Sequence, residues 1–215
     1  MRWKFILGLL TTCAVLMSMS YTMLIPFLPM YLIQDLGVVK ADVDMWSGAI
    51  FAITFLVSGI MAPIWGALAD KKSRKLMALR AGFCLAITYF LGGLVTNPWE
   101  LLGVRFIQGL SAGLWPALLA IISVESPKLK LGFCMGVMQG GMTAGGVLGP
   151  LFGGLLADQF GMRMAFFIAA AALFLITLAL LSFVKEEPRK PDPNAKPVKI
   201  WDFSLCKIPA VKRML

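Results

Sequence analysis

Six apolar stretches dominate the sequence, at about 5–33, 45–68, 76–96, 99–122, 131–157 and 164–184. Each exceeds the roughly 18 residues that make a membrane-spanning candidate. Four of them contain no charged residue. Backbone polar groups in hydrocarbon must bond internally, so the stretches are expected to be helices. Only 14% of the chain is charged and 59% is hydrophobic, against about 25% charged in a soluble domain. The expected fold class is therefore an all-α membrane protein with six transmembrane helices.

The first stretch competes with a signal-peptide reading, because Arg2 and Lys4 precede it and Ser18-Met19-Ser20 offers a small-residue cleavage site. A signal core runs only about 7–15 residues. Here the apolar run continues through Tyr21 to Ile33, which favours an uncleaved helix.

The formal net charge is +9. The bases lie in short clusters between apolar runs, a membrane-loop pattern that excludes nucleic acid as a partner. One set of loops holds Arg2, Lys4, Lys71, Lys72, Arg74, Lys75, Lys128, Lys130, Lys185, Arg189 and Lys190, with Arg80 just inside the third stretch. The opposite loops hold only Lys40 and Arg163. The positive-inside rule then puts the N-terminus and residue 185 onward in the cytoplasm, with the lipid bilayer of the cell inner (plasma) membrane as surroundings. Trp46 and Trp99 fall near the outer ends of spans. Residues 185–215, with Pro188, Pro191, Pro193 and Pro197 among charges, read as a cytoplasmic linker that leads toward a missing second half. Their last part, from Ile200, mixes apolar and basic residues as a surface helix would.

Chemistry-bearing clusters are scarce. Cys13, Cys84, Cys134 and Cys206 form no CxxC pair, and no histidine completes a metal site. There is no nucleophile elbow and no phosphate loop, so the expectation is no enzyme, no cofactor and no metal.

An internal repeat stands out instead. Gly66-Ala67-Leu68-Ala69-Asp70 closes the second stretch and Gly154-Leu155-Leu156-Ala157-Asp158 closes the fifth. Three spans separate the copies, so they face opposite sides of the membrane. Two three-helix units in inverted topology, about 1–96 and 97–184, follow from that placement.

Three motifs carry a family resemblance. The second-to-third loop holds Gly66, Leu68, Asp70, Lys71, Arg74 and Lys75 at the spacing G-x-L-A-D-[RK]-x-G-[RK]-[RK], with Ser73 in place of the second glycine. Gly66 is expected to let two helices approach closely, and Asp70 to cap a helix start and meet Arg74. The fourth span carries Leu101, Arg105, Gln108 and Gly109. The fifth carries Gly136, Gly145, Gly149-Pro150 and Gly153-Gly154, at the spacing G-x8-G-x3-G-P-x2-G-G. Together they resemble the major facilitator superfamily, and within it the twelve-span drug/proton antiporters of bacterial multidrug efflux. The chain is similar to their N-terminal six-helix half. The resemblance implies a gating role for the loop, a hinge for the glycine-proline motif, and a second half that completes the path.

Arg105 lies about 9 Å past the apparent start of its helix at 1.5 Å per residue. An intramembrane ionisable residue is a functional candidate by default. It would bias a nearby acid or orient polar cargo; snorkelling to the outer interface competes. No Asp or Glu lies deep in any span. The proton carrier is therefore sought either in Asp35 near Arg105 or in an acid of the second half. Met17, Tyr21, Met23, Trp65, Trp115, Met138 and Met142 are candidate lining residues for a small-molecule path, since methionine adapts to varied ligands. The leading functional expectation is a secondary transporter coupling drug efflux to protons. A metabolite or sugar porter is the alternative within the class, and a truncated, partner-binding membrane module the alternative outside it. A lone half is expected not to catalyse uphill efflux.

Overall fold

The computed structural model describes residues 2–71 and 73–184, and of Arg2, Ala67, Asp70 and Lys71 the backbone alone. The linker at 185–215, its surface helix and Cys206 lie outside the described residues. Eight helices account for six spans. They are α1 (Arg2–Met23), α2 (Leu28–Gln34), α3 (Val43–Lys71), α4 (Arg74–Leu94), α5 (Pro98–Leu110), α6 (Leu114–Glu125), α7 (Leu131–Phe160) and α8 (Met162–Phe183).

The two extra helices come from two interrupted spans. The first, a single apolar run over 5–33, breaks between Met23 and Leu28 instead of forming one helix. Pro26 has no N–H to continue the ladder, and Pro29 restarts a helix at its favoured first turn. The fourth, read as one run over 99–122, breaks at Ser111–Gly113. Gly113 adopts φ +119°, a left-handed backbone that only glycine takes without strain. The other four spans are single helices. Among them α3 and α7 have 29 and 30 residues, about 44 and 45 Å at 1.5 Å per residue.

The interruptions obey the repeat. Each three-span unit runs broken helix, long helix, short helix. A 3-10 turn precedes α3 at Lys40–Asp42 and α7 at Lys128–Lys130. α3 and α7 start at Val43 and Leu131, α4 and α8 at Arg74 and Met162. Both offsets are the 88 residues that separate the two G-x-L-A-D frames. Each long helix also holds an internal proline, Pro63 or Pro150.

Hydrophobic association is weak between helices already in lipid, so packing and buried polar contacts must hold the bundle. α1 lies on α7, α4 on α8, and α3 on α5. Phe166 of α8 sits between Tyr31 and Tyr89, with ring centroids 5.2 and 6.2 Å away. Each tyrosine hydroxyl donates to a buried carbonyl, Tyr31 to Gly92 O at 2.9 Å and Tyr89 to Ser20 O at 2.8 Å. These bonds tie the first span to α4. Phe55, Leu56 and Ile60 on α3, and Val147, Leu151 and Leu155 on α7, are exposed. Lipid or protein must cover them.

Candidate functional site

α5 starts as its sequence dictates. Asn97 accepts from Glu100 N at 2.9 Å as N-cap, Pro98 takes the first position, and Glu100 accepts from Thr96 N at 2.8 Å. That start fixes which face of α5 turns inward. Leu101, Arg105, Gln108 and Gly109 are all buried, Arg105 with only 6% exposure. Arg105 does not snorkel. Its Nη1 donates to Gln108 Oε1 at 2.9 Å. Its Nη2, and the Nε2 of Gln108, are buried with no acceptor in bonding geometry. Tyr21 and Tyr89 lie within electrostatic reach of the guanidinium. Among the described residues no carboxylate pairs with it. An arginine cannot shed its proton, so the bundle holds a fixed charge among polar but uncharged neighbours, with the Tyr89 hydroxyl beside both Arg105 and Gln108.

Gly109 explains how α5 comes close to α3. A Cβ there would lie 2.8 Å from Thr54 O. Thr54, which the sequence reading passed over, donates from its hydroxyl to Ile50 O at 3.0 Å and to Arg105 O at 3.4 Å.

The glycine-proline motif forms a seam, and α7 stays one helix through Pro150. A Cβ at Gly145 would strike Val15 O, one at Gly149 would strike the Thr22 hydroxyl, and one at Gly153 would lie 2.7 Å from Met23 O. Backbone therefore meets backbone along about two and a half helical turns of α1, from Val15 to Met23. Thr22 bonds its hydroxyl to Ser18 O at 3.0 Å and reaches Gly145 O at 3.5 Å. Gly154 faces Phe27. Gly136 departs from the expected seam, with nothing within 4 Å of its Cβ position.

The basic loop also departs in part. Gly66 has open space where its Cβ would be, so within this bundle it mediates no close approach. Leu68 is partly buried against the core. The N-cap of α4 is Ser73: its Oγ accepts from Leu76 N at 3.1 Å, with φ −60°. The substitution of serine for glycine thus supplies a cap and needs no left-handed backbone. Lys75 reaches across to Leu181 O at 2.7 Å and satisfies a terminal carbonyl of α8. Arg74 opens α4 half-buried. The side chains of Asp70 and Lys71 lie outside the described residues.

Asp35 is not Arg105's partner. Its carboxylate receives Arg163 Nε at 3.2 Å, joining the end of α2 to the start of α8. Of the lining candidates, Met23 and Met138 are buried in helix seams, with 3% and 0% exposure, and reach no open face of this bundle. Met17 is buried likewise. Tyr21, Trp65, Trp115 and Met142 are partly buried against the core.

The family model of the Major Facilitator Superfamily matches residues 10–212. The chain belongs to the Major Facilitator Superfamily. It is similar to the multidrug resistance protein MdtG of Enterobacter lignolyticus (strain SCF1), with 41% identity over 86% of this chain and 44% of that protein. It is similar to MdtG of Citrobacter koseri at 42% identity, covering 86% and 46%. The chain thus spans less than half the length of these relatives. Two solved superfamily folds match at a TM-score of 0.73. One is the human organic anion transporter MFSD10, 20% identical over 86% of this chain and 48% of that one. The other is a bacterial homologue of the human lysosomal transporter Spinster, 23% identical over 92% and 46%. Members of this superfamily are multi-pass membrane transporters, not enzymes, and the six-span bundle here is one half of their architecture.

Proposed function

We propose that this chain is the N-terminal half of a secondary transporter that exports amphipathic drugs in exchange for protons. The observation that carries the reading is a fixed charge beside a close seam. Arg105 is buried with no carboxylate partner among the described residues, and α1 and α7 meet through Gly145, Gly149 and Gly153. Tight backbone contact lets the half move as one rigid body, which rocking between two access states requires. The printed name of the relatives supports drugs as the cargo.

A second six-helix half supplies the opposite wall, the rest of the substrate path and the proton-carrying acid. With Asp35 held by Arg163, the field of Arg105 would act on an acid of that other half, favouring its charged form until a proton or cargo replaces it. The N-terminus, residue 185 onward and the Gly66–Lys75 loop face the cytoplasm, where the loop gates inward opening. Gly136, Gly145, Gly149, Pro150, Gly153 and Gly154 make the antiporter motif, whose seam keeps α1 and α7 together while this half rocks against the other.

The test is proton-driven dye export in vesicles carrying the complete transporter. Arg105→Ala should lower coupled transport about tenfold or more, and Asp70→Asn should cut turnover more than folding. Normal coupling in the Arg105 variant at equal expression would falsify the reading. Uphill transport by this chain alone in liposomes would remove the need for a second half.

A further inference from the structure

A cavity of about 410 Å³ opens beside the break between α5 and α6, lined by Ser58, Ala62 and Trp65 of α3, Arg80 of α4, and Gly113 and Pro116. Its polar corner is assembled from three helices. The Arg80 guanidinium carbon stacks 3.4 Å above the Trp65 ring. Arg80 Nη2 donates to Ala112 O at 3.1 Å, and Trp65 Nε1 donates to Leu110 O at 2.8 Å. Two carbonyls at the break are thereby satisfied. The Arg80 side chain lines the cavity itself, with its Nε buried away from the opening. α6 begins at the same wall, and no side chain caps it, so the positive end of its dipole adds to the arginine's charge. The remaining walls are apolar or small.

We infer that this cavity is a binding site for a small amphipathic anion, whose carboxylate meets Arg80 and the start of α6 while its apolar body lies along α3. The volume falls in the usual range for small-ligand pockets, about 300–1,000 Å³. It suits a single chain or ring system rather than the two acyl chains of a phospholipid. The aromatic face of Trp65 is already taken by Arg80, which disfavours a cationic guest. Nothing in this inference depends on Arg105, on proton exchange or on the direction of transport.

The probe is a bromo-substituted undecanoate, whose bromine quenches tryptophan on contact, added to the full chain in neutral detergent. Quenching should be saturable and should vanish in Trp65→Phe. The matching bromo-alcohol should bind about tenfold more weakly, the change that loss of one charge-assisted hydrogen bond brings. Arg80→Gln should weaken the acid by a similar factor and leave the alcohol unmoved. Should Arg80→Gln not fold, Ala62→Phe keeps the arginine and fills the cavity; it should abolish saturable quenching at an unchanged thermal midpoint. Equal quenching by acid and alcohol overturns the site. So does a brominated phosphatidylglycerol that quenches Trp65 when the free acid does not, because the occupant is then a lipid.

Discussion

The two long helices end in the same G-x-L-A-D frame, yet they use their glycines in opposite ways. On α7, Gly145, Gly149 and Gly153 are buried against the backbone of α1. On α3, Gly59 and Gly66 have nothing within 4 Å of a would-be Cβ. Two inverted units of similar sequence have therefore been given different duties. One long helix is locked into this half. The other keeps its small-residue face free, with exposed Phe55, Leu56 and Ile60 nearby. The shared frame records the repeat, and only the contacts reveal which copy does the packing.

That contrast is most easily broken at Gly149. Gly149→Leu should cost about 3 kcal/mol or more, since the side chain meets Thr22 and the α1 backbone. Loss of the monodisperse peak on detergent gel filtration is the expected readout; a normal peak and midpoint would mean α1 and α7 are not in contact. Gly145→Ala adds one methyl against Val15 and should cost about 1–3 kcal/mol in reversible unfolding. Ser73→Ala removes the cap of α4 and should cost about 1 kcal/mol. No change there would place the end of the basic loop elsewhere. Gly66→Ala is the smallest and has the opposite sign. With open space at its Cβ, the helix should gain up to about 1 kcal/mol from propensity alone. A lower thermal midpoint in this variant would show that α3 and α7 are alike after all.

Much of this was legible beforehand. Long apolar runs set the number of spans, because hydrocarbon leaves the backbone no option but a helix. The repeat and the three motifs could be read as strings. Contacts between distant segments could not. Asp35 and Arg163 are 128 residues apart, and proximity to Arg105 was an inference from a shared face of the membrane. The break after Leu110 left a weak signal, Gly113 three residues ahead of Pro116 inside an apolar run. Arg80 stood out as a lone base within its span, but its stacking on Trp65 depends on how α3, α4 and the break converge. Spacing marked the glycine face of α7, whereas its partner helix had to be seen. It also put Gly66 at a close helix approach and Gly136 on the glycine face of α7, which the open space around both does not support.

The seam between α1 and α7 has a consequence for biogenesis. Thr22 and Gly145 are separated by 123 residues. At roughly 5–20 residues per second, the ribosome needs roughly 6–25 s to make the distance between them. Throughout that interval the first helix must wait in the membrane with its future contact surface bare. A chaperone, the insertion machinery or lipid has to shield it, and mutants that slow delivery of the fifth span should be cleared by quality control before they are ever tested for activity.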